Sequence, residues 1–579
     1  MTPFLNVETS LTGRRWTGPT AEADRQAEAL AQQTRLPLPL CRILAARGVA
    51  PQDAAAFLAP SVRDLLPDPL TLRDMAPAAG RLLRALDRRE RIAIFADYDV
   101  DGGSSAALLI VWLRFFGLVP TLYIPDRIDE GYGPNIPAMA ALAAQHDLIL
   151  CVDCGTLSHD PIAAASAADV VILDHHLALE TLPAALAIVN PNRQDEDGTL
   201  AHLCAAGVVF LLLVEANRRL KAAGHATPDL MAFLDLVALA TVADVAPLTG
   251  VNRAFVRQGL KIMARRDRPG LRALADVARM DQAPTPYSLG FLLGPRVNAG
   301  GRIGQADLGA RLLATDNDQE AAALAARLDQ LNTDRREVTE RVREAALAQA
   351  EARGLEAPLV WAAGEGWHPG VVGIVAARLK EAANRPSVVI GFDGDDGKGS
   401  ARSVPGVDLG AAIQRLAAEG MITKGGGHKM AAGLSLTRAQ LAPAMERLSD
   451  LLARQGAGAV GPLDLRIDGL LTTGAATVAL VEEIENAGPF GSAAPAPRFA
   501  FAKVSVSPRR IGDSHLKLTL SDGSGPGLDA IAFGAFDGPL GPALETPGHR
   551  RFHVAGKLEL NHWNGRTRVQ LRLDDAAPA

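Results

Sequence analysis

Cysteine is scarce in this chain, four residues in 579, so no disulfide framework is available and a reducing compartment is expected. Cys151 and Cys154 form a Cys-x-x-Cys. No second pair follows at zinc-site spacing and Cys151 falls inside an apolar run, which points to packing rather than metal or redox work. Long hydrophobic runs are missing too. The longest, residues 106–113, is far too short to span a bilayer. Residues 1–16 are polar and mixed, not of signal-peptide type. These absences predict a soluble, cytoplasmic protein with no membrane partner. Nor is there an excess of positive charge. The net charge of −6 argues against a non-specific duplex binder, which usually carries a basic balance. It leaves room for an enzyme that holds one strand in a locally basic channel. The length predicts about three to four domains, and a chain that is 48% hydrophobic can build several cores.

What the chain does contain is a repeated pattern: apolar, strand-like runs that end in carboxylates or imidazoles. Residues 91–96 run into Asp97-Tyr98-Asp99-Val100-Asp101-Gly102. Residues 147–152 run into Asp153, and residues 169–173 into Asp174-His175-His176. Runs apolar on both faces read as strands of a covered parallel sheet, giving an α/β fold. Ligands of open α/β sheets sit at the carboxyl ends of such strands. One strand-end aspartate is ordinary, because aspartate favours turns and helix N-caps, and Asp153 alone would read that way. Three aspartates at alternating positions repel one another unless cations compensate. Oxygen-rich ligands with one or two imidazoles suit Mn²⁺ or Mg²⁺, and two such ions can clamp a phosphoryl group for hydrolysis. The turn at residues 102–105 leads into a helix expected at 105–116, whose N-terminus could help hold phosphate.

The rest of the chain adds pieces of different character. Residues 1–85 are Ala- and Pro-rich, with short helical stretches and no legible chemistry. Residues 316–353 lack Gly and Pro and place Leu324, Leu328, Leu331, Val338, Val342 and Ala345 at helical spacing. They predict one long amphipathic helix closed at Gly354, a rigid spacer about 55 Å long. An intermolecular coiled coil is the competing reading. Residues 355–458 read as a second α/β unit with strands at 357–361 and 387–392 and a helix at 371–383. Its glycine loops could bring backbone amides to a phosphate, with Ser400, Arg402 and His428 as added donors. Residues 496–572 carry eleven Arg and Lys against six Asp and Glu, alternate like strands, and place a hairpin signal at Asn564-Gly565. They fit a small OB-like barrel that binds single strands. Phe499, Phe501, Phe552 and Trp563 could stack bases there, although barrel core is the stronger reading for most of them.

Asp174-His175-His176, the upstream Asp-x-Asp-x-Asp-Gly and the isolated strand-end Asp153 together resemble the DHH phosphoesterase superfamily. Asp244, within residues 240–248, looks like that family's fourth metal motif. Gly366-Trp367-His368-Pro369-Gly370 and Gly425-Gly426-Gly427-His428 look like its DHH-associated substrate domain. From about residue 40 to 575 the chain is similar to the bacterial single-strand-specific DNA exonucleases of this superfamily. The resemblance implies 5′→3′ hydrolysis of single-stranded DNA by a two-metal-ion mechanism, in repair and recombination. It implies Mn²⁺ or Mg²⁺ held by Asp97, Asp99, Asp101, Asp153, His175 and Asp244, with Asp153 bridging. His176 would face the substrate phosphate, and Asp174 would orient a neighbouring imidazole. Ser400 and Arg402 would meet the 5′-terminal phosphate, with Arg127, Arg296, Asn298, Arg302 and His428 as further substrate contacts. A single-strand-binding protein and a helicase would be its partners, and the enzyme a monomer. The expected division is 1–85 N-terminal extension, 86–310 DHH catalytic domain, 311–354 long helix, 355–458 DHH-associated domain and 459–579 OB-like domain. Two other readings stand: a phosphodiesterase of the same superfamily acting on short oligonucleotides or cyclic dinucleotides, and a non-catalytic scaffold.

Overall fold

The computed structural model describes residues 3–126, 130–458, 463–563 and 565–579. The chain forms two compact units: residues 67–246 with 259–460, and residues 1–66 with 247–258 and 461–579.

The larger unit holds two sheets. The first comprises β1 (Ile92–Ala96), β2 (Thr121–Tyr123), β3 (Leu148–Val152), β4 (Asp169–Leu173) and β5 (Ala187–Val189). They lie in the order β2-β1-β3-β4-β5, every pair parallel. β1 and β3 are buried along their whole length, as their unbroken apolar sequences require of a sheet covered on both faces. The chain leaves β1 for β2 and then crosses back to β3. The switch point therefore falls between β1 and β3, whose carboxyl ends carry Asp97 and Asp153.

Helix α1 (Val100–Phe115) starts five residues before the expected position. Asp99 is its cap: Asp99 Oδ1 accepts the amides of Asp101 at 2.9 Å and Gly102 at 3.2 Å, satisfying donors that a helix start leaves open. A Cβ at Gly102 would collide with the Asp97 carbonyl, so only glycine lets the helix start this close to the strand end. Further helices that frame the site are α2 (Ala205–Ala222), α3 (Leu234–Ala243) and α4 (Gly294–Ile303).

The long helix α5 runs Asp318–Arg353, 36 residues. Asn317 caps it through the amides of Gln319 and Glu320, and Gly354 ends it at φ +94. Its first half buries Ala321, Leu324, Ala325, Leu328 and Leu331. Its second half shares a core, through Val342, Ala346 and Ala350, with Val371, Val372 and Val375 of α6 (Pro369–Ala383). Packing within the chain therefore consumes the apolar stripe that a coiled coil would have needed.

The second sheet contains β6 (Val360–Glu365), β7 (Ser387–Asp393), β8 (Asp396–Arg402), β9 (Lys424–His428) and β10 (Ala431–Thr437), in the order β9-β10-β8-β7-β6. Only β6–β7 is parallel. β6 lies three to four residues beyond the expected strand.

The smaller unit contains a six-stranded sheet: β11 (Gly469–Leu471), β12 (Phe499–Ile511), β13 (His515–Ser521), β14 (Leu528–Ala532), β15 (Phe552–Trp563) and β16 (Arg566–Pro578). An added β12–β15 pairing closes it on itself. Trp563 pairs with Arg566 across the expected hairpin; residue 564 lies outside the described residues. Phe499, Phe501 and Phe552 are fully buried in the barrel core, which removes them as base-stacking platforms. The N-terminal residues build this same unit. Arg14–Thr17 pairs in parallel with Leu463–Arg466, Leu30, Leu40 and Leu44 enter the barrel's core, and buried Trp16 donates from Nε1 to Asp575 Oδ2 at 2.9 Å. Among the described residues, no helix is long and apolar enough to cross a membrane.

Candidate metal centre

The parallel sheet brings its acidic strand ends together. Three groups of ligand atoms, each mutually within 4.8 Å, recur around two shared residues: Asp153, His175 and His176; Asp101, His175 and Asp244; Asp97, Asp99 and Asp153. All seven positions expected to be catalytic meet in this cluster. His175 Nε2 lies 3.2 Å from Asp153 Oδ1, 3.6 Å from Asp101 Oδ2 and 3.9 Å from Asp244 Oδ2. Asp97, Asp101 and Asp153 are buried.

Backbone fixes Asp101 and Asp174 and sets the placement of Asp153. Asp101 accepts the amides of Ala205 at 2.7 Å and Ala206 at 2.8 Å, which ties the start of α2 to the start of α1. Asp153 sits at φ +58, a left-handed conformation uncommon outside glycine and tolerated best by Asn and Asp. Its Oδ1 is buried and accepts no hydrogen bond. Asp174 is not aimed at the others. Its Oδ1 takes the His175 amide at 2.7 Å and pairs with His176 Nδ1 at 2.7 Å, and its Oδ2 takes the Thr156 amide at 3.1 Å. It orients the motif rather than offering a ligand.

The electrostatics are those of a site built for cations. Burial, followed by the neighbouring Asp101 and Asp99, pushes the Asp244 carboxyl up to about 8. Burial, then the fields of Asp101, Asp99 and Asp97, drives Asp153 well above the usual carboxylate range. Burial opposes charge on His176, but Asp174's hydrogen bond and the surrounding carboxylates outweigh it and raise the imidazole to about 9. Burial likewise opposes charge on Asp174, and the His176 hydrogen bond overrides it, holding that carboxyl below its ordinary value. Crowded, desolvated oxygens with one imidazole, one of them unbonded, fit a hard divalent ion.

Four residues at the site escaped the sequence reading. The Tyr132 hydroxyl lies 3.1 Å from His176 Nε2. Asn190 donates to the His176 carbonyl at 2.8 Å and to Thr156 Oγ1 at 2.9 Å, and Asn192 donates to the His175 carbonyl at 2.6 Å. The signal was present: Val189-Asn190-Pro191-Asn192 is another apolar strand ending in polar side chains, and Tyr132 is flanked by glycines.

The expected substrate residues divide. Arg127 lies outside the described residues. Arg296 is buried and held by Asp329 Oδ1 at 2.8 Å and the Leu292 carbonyl at 2.7 Å. Asn298 Oδ1 accepts the Val100 amide at 3.0 Å, inside the aspartate loop. Arg302 donates to the Gly370 carbonyl at 3.0 Å, fastening α4 to the first turn of α6. Arg402 Nη1 donates to Ser400 Oγ at 3.0 Å, and both side chains lie against Gly373 in α6. A guanidinium and a hydroxyl held side by side suit an anionic phosphate. His428 lies in the same cross-strand row as Arg402, through Ala431, two strands away at roughly 10 Å.

The covered parallel sheet and its cluster of Asp and His residues define a DHH-type phosphoesterase. Residues 91–241 match the DHH family, N-terminal domain, residues 356–454 the DHHA1 domain and residues 467–575 the RecJ OB domain. The chain is 38% identical to the single-stranded-DNA-specific exonuclease RecJ of Dickeya dadantii, over 99% of this chain and all of that one. It is 37% identical to the same exonuclease of Escherichia coli K12, over 96% of this chain and 98% of that one. A crystal structure of RecJ in complex with Mn²⁺ from Thermus thermophilus superposes with a TM-score of 0.80 at 29% identity, covering 97% of this chain and 79% of that one. The chain belongs to the RecJ family.

Proposed function

We propose that this protein is a metal-dependent exonuclease that degrades single-stranded DNA from 5′ to 3′, in DNA repair and recombination. One observation carries the reading. The seven-residue Asp/His cluster is complete in a chain similar along its whole length to proteins named single-stranded-DNA-specific exonucleases. Asp97, Asp99, Asp101, Asp153, His175 and Asp244 would hold two Mn²⁺ or Mg²⁺ ions, shared through Asp153. Such ions, when bound, lower the pKa of a water and neutralise charge on the phosphoryl oxygens.

The chain's own residues do the rest. Asp174 fixes the His176 ring, which faces a phosphate oxygen of the substrate. Asn298 and Asp101 hold the aspartate loop against α2 and α4. Ser400 and Arg402 bind the terminal phosphate beside α6, with His428 and Arg127 further along the strand. Arg296 and Arg302 act through the backbone they fasten. The division at about residues 85, 310, 354 and 458 assigns chemistry to the DHH part, end recognition to the DHH-associated part and strand binding to the barrel. We place the enzyme in the cytoplasm, as a monomer working with a single-strand-binding protein and a helicase.

The test is a time course on matched single-stranded and blunt duplex DNA, labelled separately at each end, in Mn²⁺, Mg²⁺ or EDTA. Metal-dependent loss of single strands from the 5′ end, with duplex spared, is the expected result. Cleavage confined to very short oligonucleotides or cyclic dinucleotides would replace this function with another of the same superfamily.

A further inference from the structure

Away from the metal centre, arginines gather around a cavity with too few carboxylates to match them. It lies within the unit of residues 1–66, 247–258 and 461–579 and has a volume of about 450 Å³. Arg47, Arg253, Arg466 and Arg498 line it, and Asp468 is its only acidic lining residue among the described residues. Arg498 is taken by Asp574 at 2.7 Å, and Arg466 lies 3.6 Å from Asp468. Arg47 and Arg253 bond to carbonyls instead. Arg47 donates to Ala487 at 2.7 Å and Pro495 at 3.2 Å. Arg253 donates to Phe57 at 2.9 Å, Ala487 at 3.0 Å and Gly488 at 2.6 Å.

Carbonyl oxygens satisfy N–H groups but leave the charge standing, and a buried charge without a counter-ion is costly. Arg253 is 4% exposed, and its Nε is buried with no partner. Burial, then the like charges of Arg47 and Arg257, lowers its guanidinium to about 10. Both side chains are also held in place by aromatic faces. The Arg253 guanidinium sits 3.7 Å from the centre of the Phe57 ring and that of Arg47 5.1 Å from the Phe490 ring, within reach of cation–π attraction. Fixed, desolvated and uncompensated guanidiniums match a phosphate, whose oxygens accept their planar forks.

The remaining walls include Ile43, Phe57, Leu248, Pro495 and Pro497. The volume falls in the range of small-molecule sites, and inorganic phosphate would occupy a fraction of it. We propose that this cavity binds a small phosphate monoester with an apolar body, namely a deoxynucleoside 5′-monophosphate. Arg47 and Arg253 take the phosphate, and the apolar walls take the sugar and base. Naming a mononucleotide rests on the exonuclease reading above. Such an enzyme releases one each time it removes the end of a 5′-phosphorylated strand and leaves a 5′-phosphate on the remainder. The cavity is separate from the Ser400–Arg402 pair, which belongs to the other unit.

Isothermal titration calorimetry with dAMP tests this on Arg402→Ala protein in EDTA, which silences the terminal-phosphate contact and the metal centre. One dAMP per chain should bind, inorganic phosphate should compete more weakly, and deoxyadenosine should not bind. Two further changes report on the cavity: Ala46→Trp fills it from an exposed position, and Arg466→Glu reverses a charge at its exposed rim. Each should weaken dAMP by roughly tenfold or more, the worth of one charge-assisted hydrogen bond. With Arg402 intact, Ala46→Trp should still degrade single strands at the wild-type rate. Absence of saturable dAMP binding, equal binding of deoxyadenosine or of inorganic phosphate, or an affinity unchanged in both cavity variants would overturn the site. Failure of the wild type to degrade any single strand would overturn the exonuclease reading alone, because calorimetry reads the cavity without turnover.

Discussion

Asp153 concentrates the chemistry of the site in one side chain. It is buried, held at positive φ, and shared by two of the three ligand groups. We expect Asp153→Ala to abolish hydrolysis while single-strand binding, measured by fluorescence anisotropy, persists through the barrel. Near-normal turnover at saturating Mn²⁺ would contradict the shared-ligand role. Arg402 makes a different kind of contribution, since its Nη1 donates to Ser400 Oγ on β8. A charge-assisted hydrogen bond to a phosphate contributes enough for roughly tenfold discrimination or more. Arg402→Ala should therefore erode the preference for 5′-phosphorylated over 5′-hydroxyl ends by about that factor, with a smaller effect on the chemical step. Equal losses on both substrates would place Arg402 elsewhere in the reaction.

At the scale of elements, the aspartate loop is a junction of helices as much as a ligand set. Asp99 caps α1, Asp101 caps α2, and Asn298 of α4 takes the Val100 amide. Asn298→Ala leaves that amide without its acceptor, at a cost of about 1–2 kcal/mol, and loosens the loop that carries three carboxylates. The expected outcome is a lower urea midpoint together with weaker Mn²⁺ activation. A midpoint unchanged from wild type would show that water replaces the asparagine oxygen. Helix α5 was legible in the sequence to within two residues because it lacks Gly and Pro and keeps its apolar spacing. What its stripe packs against was not legible, since periodicity reports a buried face and never the partner.

For the molecule as a whole, the crowded carboxylates couple metal binding to stability. Asp244, raised from the ordinary 3.8 to about 8, and Asp153, raised by burial and its neighbours, favour the protonated form in the metal-free fold. Such groups steady the fold below the unfolded value, and that contribution is lost as pH rises through the folded one. A divalent ion needs the carboxylates ionised, so binding releases protons. The gain in Tm from Mn²⁺ over EDTA should therefore be larger at pH 8.5 than at pH 6. Calorimetry showing a gain independent of pH would disconnect these carboxylates from the ion. At this scale the N-terminal residues also find their place. They carry no readable chemistry, yet Trp16 and the strand Arg14–Thr17 help build the barrel's unit.

The sequence by itself determined the elements and the chemistry of their ends: apolar strands, the aspartate and histidine motifs after them, the long helix and a basic C-terminal barrel. Those features are local, because strand and helix periods and clustered like charges can be read along the chain. Only the tertiary structure decided which side chains meet. It joined Asp101 to α2 across about a hundred positions, put Asn298 on the aspartate loop and turned Phe499, Phe501 and Phe552 into core. It also set residues 1–66 with the barrel and left Tyr287 and Phe291 stacked in solvent. Burial and long-range hydrogen bonding depend on the packed neighbours of each residue, and a linear pattern does not contain them.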